Sequence, residues 1–107
     1  MLDEREFRKR SDEALADLQR ALERAADRHD FEVDRNEGAL AIEFEDPPAR
    51  FVISPNAPVR QIWVSARVKS FKLDWDETNG VFAISGRTLH RLIADAVSEQ
   101  LGEQVVL

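Results

Sequence analysis

The spacing of the apolar residues changes twice along this chain, and these changes limit the folds that it can adopt. From Asp3 to about Arg28 apolar residues recur every three or four positions without proline or glycine, which predicts one long amphipathic helix. From Phe31 to Ile84 they mostly alternate with polar residues, which predicts short strands. From Arg87 to about Leu101 the helical spacing returns. The order of helix, strands and helix predicts an α+β fold.

Turn residues divide the middle of the chain into about six strands. They are Asn36-Glu37-Gly38, Pro47-Pro48, a predicted loop bracketed by Pro55 and Pro58, Asn79-Gly80, and Gly86, which we expect to end the sheet. Strands joined by short turns pair antiparallel. Two helices with one apolar stripe each can cover only one face of such a sheet. We therefore expect a two-layer α/β sandwich with an open sheet face.

The length and the composition limit the class of protein. The 107 residues have room for one domain, residues 1–107. The sequence has no apolar run long enough to cross a membrane and no apolar segment after its charged N-terminus, so we expect no membrane association and a cytoplasmic location. The absence of cysteine excludes a disulfide, a thiolate nucleophile and a cysteine-based metal site.

The negative charge is concentrated in the first half of the chain. Residues 1–50 contain 15 acidic and 9 basic residues, whereas residues 51–107 contain 6 of each. Such a surface repels phosphate backbones and attracts cations or basic protein surfaces. Nucleic acid is therefore not an expected partner.

The sequence offers little for catalysis. It has no glycine-rich phosphate loop, no H-E-x-x-H motif and no nucleophile elbow. His29 follows the first predicted helix, where a positive charge is favourable, and His90 borders the apolar stripe of the second. We expect both histidines to be structural.

The acidic residues between positions 12 and 46 allow two interpretations. Twelve carboxylates face only four arginines in this stretch. They can form a solvated surface with local ion pairs, such as Asp17 with Arg20 and Arg24 with Asp27. They can also form a shallow site for hard cations, which would bind weakly and keep several waters.

Trp63 lies in the predicted strand of PVRQIWVSARV. If Ile62 and Val64 face the core, the indole points to the opposite, open face of the sheet. Such a ring is either partly covered by its neighbours or serves as an anchor for a partner protein. Tryptophan beside Gln61 and Arg60 is typical of the centres of protein interfaces.

Several sequence blocks resemble the frataxin family, including its bacterial CyaY-type members. They are L-D-E-x-x-F from Leu2, D-E-x-L-x-x-L from Asp12, G-A-L-A-I-E-F from Gly38, Q-I-W-V-S from Gln61, L-D-W from Leu73, and S-G-x-T-L-H-x-L-I from Ser85. The resemblance covers nearly the whole chain. It implies an α–β sandwich and a role in iron–sulfur cluster biogenesis, with weak binding of ferrous or ferric iron and docking to the cysteine desulfurase–scaffold complex.

The resemblance also implies which residues carry these roles. The positions that match the acidic iron-binding ridge are Asp12, Glu13, Glu23, Asp27, Asp30, Glu32 and Asp34. The expected partner-binding residues are Trp63, Gln61, Arg60 and Asn56. We expect a monomer without catalytic residues. The alternatives are a ferroxidase or iron-storage activity at the ridge, and an acidic peptide-binding chaperone.

The chain departs from the family pattern in three places. Arg8, Arg20 and Arg24 stand where relatives often carry acids, which lowers the negative potential of the ridge. The loop before the tryptophan is Ser54-Pro55-Asn56 instead of Asn-Lys-Gln. Only a short tail, EQVVL, follows the second helix, so we expect stability to depend on the docking of residues 105–107.

Overall fold

The computed structural model describes residues 2–107 and confirms the predicted α+β sandwich. Its elements are α1 (Glu4–Ala26), β1 (Glu32–Asn36), β2 (Ala39–Glu45), β3 (Pro48–Asn56), a short 3-10 turn (Ala57–Val59), β4 (Gln61–Ala66), β5 (Lys69–Asp76), β6 (Val81–Ile84), β7 (Arg87–Thr88) and α2 (Leu89–Leu101). The strands of this described part form one antiparallel sheet whose spatial order equals the chain order.

Helix α1 begins at a residue whose side chain caps its backbone, and it ends where the backbone N–H of the next residue bonds to helix carbonyls. Asp3 is the N-cap, and its carboxylate accepts a hydrogen bond of 2.8 Å from the Glu6 amide. The helix ends at Ala26, two residues before the predicted boundary, with Asp27 as the C-cap. Its buried stripe, which includes Phe7, Leu15 and Leu22, faces the sheet as the spacing predicted.

Two predictions for the strands were wrong. Pro55 lies inside β3 and not in a loop. The pairing of β3 with β2 ends at Ile53, so at Pro55 the strand has only β4 beside it. A proline with one neighbouring strand removes no essential ladder hydrogen bond. Gly86 does not end the sheet. With Ser85 it forms a turn of positive φ angles, 51° and 78°, after which Arg87 and Thr88 pair with β6 as a seventh strand.

The core lies between the helices and the inner face of the sheet. Residues of this face that are fully buried include Ile42, Phe51, Ile62 and Leu73. An edge-to-face contact between Phe7 and Phe82, with ring centroids 5.7 Å apart, joins α1 to β6. Within residues 2–107, neither helix lies over the opposite face of the sheet.

The chain end closes the helix layer. Val105 is buried, and its amide donates a hydrogen bond of 2.8 Å to the Ser98 hydroxyl, whereas Val106 is 76% exposed. Only part of the expected docking of residues 105–107 is therefore realised. His29 Nδ1 lies 2.5 Å from Glu103 Oε2, so the end of α1 is tied to the tail.

We expect Phe82→Ala to lower the free energy of unfolding by about 3–5 kcal/mol, because the ring is buried between Phe7 and Trp75 and its removal leaves a cavity. Urea denaturation followed by circular dichroism measures this change. Val106→Ala is the matched control and should change stability by less than about 0.5 kcal/mol. Equal effects of the two substitutions would contradict the assigned core.

Candidate functional site

Trp63 lies on the open face of the sheet, as the alternation in β4 predicted. Its neighbours Ile62 and Val64 are buried, whereas Trp63 is 37% exposed. It pairs across the sheet with Ser54 of β3 and Lys72 of β5. The Lys72 ammonium lies 4.8 Å from the ring centroid, a cation–π contact that covers part of the indole.

Hydrogen bonds fix the orientation of this indole. Trp63 Nε1 donates to Gln61 Oε1 at 3.0 Å, and Gln61 Nε2 donates to Asp74 Oδ1 at 3.0 Å. A depression of about 170 Å³ opens beside the ring, between Val52 and Lys72. The indole therefore has one preferred orientation before any partner arrives.

Sequence reasoning did not identify Lys72 and Asp74 as neighbours of Trp63. Both occupy outward positions of the strand that contains L-D-W. The alternation of polar and apolar residues in this strand could have shown that they lie on the open face of the sheet. The register between β4 and β5, which brings them beside Trp63 and Gln61, depends on the intervening turn and was not readable.

The other two expected partner-binding residues lie at the connection between β3 and β4. Asn56 ends β3 and pairs with Gln61. The Arg60 guanidinium donates hydrogen bonds to the carbonyls of Ala57, at 2.6 Å, and Pro58, at 3.2 Å. Arg60 thus braces this connection, and its partner-binding role stays a prediction.

The seven carboxylates predicted to bind iron do not share one surface. On β1, Glu32 and Asp34 are exposed and pair with residues of the open sheet face, whereas Val33 and Arg35 point toward α1. Asp12 and Glu13 are neighbours on α1, but Asp12 reaches β1 and Glu13 lies on the side toward β5, β6 and α2.

Arginines neutralise the carboxylates in the middle of α1. Arg35 Nη2 lies 3.1 Å from Asp12 Oδ1, and Nη1 of the same guanidinium donates to Gln19. Arg10 Nη1 lies 3.5 Å from Glu13 Oε1. The expected pair of Asp17 with Arg20 is confirmed, but the one between Arg24 and Asp27 is not formed. Sequence reasoning missed Arg35, because its partner is 23 residues away.

The predicted iron-binding carboxylates that have no ion pair lie later in the chain than Asp12 and Glu13. Within residues 2–107 they include Glu23, Asp27, Asp30, Glu32 and Asp34, of which Glu23 accepts a hydrogen bond of 3.4 Å from Gln19. These residues occupy the last turn of α1, the connection that follows it, and β1. In the same described range, no three carboxylate or imidazole groups converge to hold a metal ion.

A separate cavity of about 330 Å³ lies between α1, the β5–β6 hairpin and the start of α2. Trp75 and His90 are half-buried in its wall, and the Arg10 guanidinium lies 5.7 Å from the Trp75 ring centroid. Burial lowers the pKa of His90, with Asp17 opposing the shift and Arg24 adding to it. The imidazole is therefore neutral at pH 7.

The frataxin-like domain family model matches residues 1–103, across both helices and the whole sheet. This chain belongs to the frataxin-like family. Two relatives are named iron-sulfur cluster assembly protein CyaY. The one from Azotobacter vinelandii is 34% identical over 97 residues, which cover 87% of each chain. The one from Pseudomonas aeruginosa is 36% identical over 92 residues, 82% of this chain and 84% of that protein.

A solved frataxin from Psychromonas ingrahamii has the same fold. It superposes with a TM-score of 0.82 over 98% of this chain and 97% of that one, at 21% sequence identity. The match includes the two-layer arrangement described above. Among residues 2–107, neither helix has the length and apolar character needed to cross a bilayer.

We expect His90 to make the frataxin-like fold less stable in acid. Its pKa is lower in the folded chain than in the unfolded chain, where it is about 6.5, so its contribution to stability is present above pH 6.5 and is lost as the pH falls through the folded value. Wild type should lose more stability than His90→Gln between pH 7.5 and pH 5, as urea denaturation measures. Parallel pH profiles of the two proteins would contradict this assignment.

Proposed function

We propose that this chain is a non-catalytic, iron-binding regulator of iron–sulfur cluster assembly that docks to a cysteine desulfurase–scaffold complex in the cytoplasm. Membership of the frataxin-like family and the names of the CyaY relatives support this role. The observation that carries the docking mechanism is the oriented, partly exposed Trp63 on a sheet face that no helix covers.

The open face provides what a protein interface needs at its centre. Because Gln61 and Lys72 already hold the indole, a partner would lose little side-chain entropy when it packs against the ring. The depression beside Trp63, between Val52 and Ser70, offers a place for an apolar side chain of the partner. We propose that the scaffold protein contacts this part of the surface.

The carboxylates at the edge of the sheet provide the electrostatic part of docking. Glu32 and Asp34 lie on the same face of the sheet as Trp63. They are on the edge strand β1, three strands from β4. These carboxylates would attract a basic surface of the desulfurase. The attraction would speed association and fix the relative orientation of the two proteins. The remaining unpaired carboxylates, at the end of α1, extend this negative surface around the edge.

Iron is the cargo of this proposed function. Unpaired carboxylates are hard oxygen ligands that suit ferrous and ferric iron, and their exposure leaves room for bound water. Because Asp12 and Glu13 are paired with arginines, we propose that iron binds between Glu23 and Asp34 rather than in the middle of α1. Binding would be weak and would compete with docking of a basic partner.

We expect Trp63→Ala to weaken binding to the desulfurase–scaffold complex by more than about 1 kcal/mol, because the indole is the apolar anchor. Isothermal titration calorimetry measures the affinity, and circular dichroism checks that the fold is intact. Val68→Ala is the matched control, since Val68 is 97% exposed at the β4–β5 turn, away from the anchor. An unchanged affinity for Trp63→Ala would remove the anchor from the mechanism.

We expect ferrous iron, added anaerobically, to broaden amide signals within residues 12–34, most strongly from Glu23 to Asp34. NMR spectroscopy of the full chain measures this effect. The double variant Glu32→Gln, Asp34→Asn should reduce the broadening, whereas Glu4→Gln, at the start of α1, should not. Broadening confined to other residues would misplace the site, and sustained oxygen consumption with turnover would contradict a non-catalytic role.

A further inference from the structure

The cavity beside Trp75 is separate from the open sheet face and from the unpaired carboxylates of β1. Its lining includes Arg10, Glu13, Asp17, Trp75, Leu89 and His90. Its volume of about 330 Å³ falls at the lower end of the range for ligand-sized pockets. The floor is aromatic and aliphatic, and carboxylates lie along the α1 side. We call it the Trp75 cavity.

The side chain of Arg10 shows which chemistry this cavity accepts. Arg10 Nε lies 2.8 Å from Glu6 Oε2, and Nη1 lies 3.5 Å from Glu13 Oε1. The same guanidinium stands over the Trp75 ring, 5.7 Å from its centroid. Two carboxylates and an indole face are the partners that a planar guanidinium prefers, since it can pair and stack at once.

A cation that took the place of Arg10 would also have Asp17 beside it. Asp17 lines the cavity, and its ion-pair partner within the described chain is the exposed Arg20 of the same helix. His90 stands in the wall as a neutral imidazole at pH 7, so it does not repel a positive group. Val81 and Leu89 offer apolar surface for an aliphatic stem. Glu13 and Asp17 would repel an anion.

We propose that the Trp75 cavity binds an arginine side chain of a partner protein, which takes the place of Arg10 over the indole. The incoming guanidinium pairs with Glu13 and Asp17, and its aliphatic stem lies on the apolar floor. Arg10 is partly exposed and can move into solvent when it is replaced. Arg10 is then an internal competitor that limits the affinity of the site. This inference rests on the proposed docking role.

The test uses the full chain and N-acetyl-L-arginine amide as the probe, with the two tryptophan indole signals followed by NMR. We expect the Trp75 signal to shift and the Trp63 signal to stay. Arg10→Ala should tighten probe binding by about threefold or more, because the competing cation–π contact is gone. Arg8→Ala is the matched control, which removes the same charge two residues away on α1 and should change affinity by less than about twofold.

Two further comparisons separate a specific site from general attraction of cations. Asp17→Asn should weaken probe binding by about threefold. N-acetyl-L-lysine amide should bind more weakly than the arginine probe, because an ammonium cannot pair and stack as a plane. An unmoved Trp75 signal, equal effects of Arg8→Ala and Arg10→Ala, or equal binding of the two probes would each overturn the proposal.

The outcomes for this cavity and for the docking role are distinguishable. If the desulfurase–scaffold complex binds a chain that does not bind the arginine probe, this inference fails and the docking role stands. If the chain binds the probe but not the complex, the docking role fails. If both bind and Asp17→Asn leaves affinity for the complex unchanged, the arginine of that partner does not enter the cavity, and the inference is overturned.

Discussion

The packing of two helices against one face of a seven-stranded sheet is the interaction on which the rest of this structure depends. It removes most inner side chains of the central strands from water, and the burial of apolar side chains such as Ile42, Phe51 and Leu73 contributes to the driving force of folding. The helices leave the other face bare. Outward residues such as Trp63 are then held by the sheet in a fixed place without being part of the core.

The same two-layer arrangement separates the negative charges of the chain. Asp12 and Glu13 lie on the helix layer, where Arg35 and Arg10 pair with them, whereas Glu32 and Asp34 project from the bare face. One stretch of acidic sequence therefore produces two surfaces with different properties. The part paired with arginines has little net charge, and the unpaired part at the edge of the sheet has a negative electrostatic potential.

The fold could be predicted from sequence to a large extent, because it follows from local periodicity. Alternation alone placed Trp63 on the open face, and the change in period placed both helices. Features that depend on contacts between distant residues could not be predicted. The pairing of Arg35 with Asp12 and the register that brings Lys72 under Trp63 arise only when the elements meet. The prediction that Pro55 lies in a loop was wrong, because a strand accepts proline where one side is unpaired, and β2 does not extend alongside β3 at Pro55.

The strand order has a consequence for synthesis of the chain on the ribosome. Because each strand pairs with the next one in sequence, hairpins can form one after another as the polypeptide emerges. The contact of Phe7 with Phe82, however, must wait until β6 has left the exit tunnel. Until then the apolar faces of α1 and of the growing sheet are exposed to solvent and accessible to chaperones. A product truncated before β6 would keep these apolar faces exposed and would be prone to aggregation.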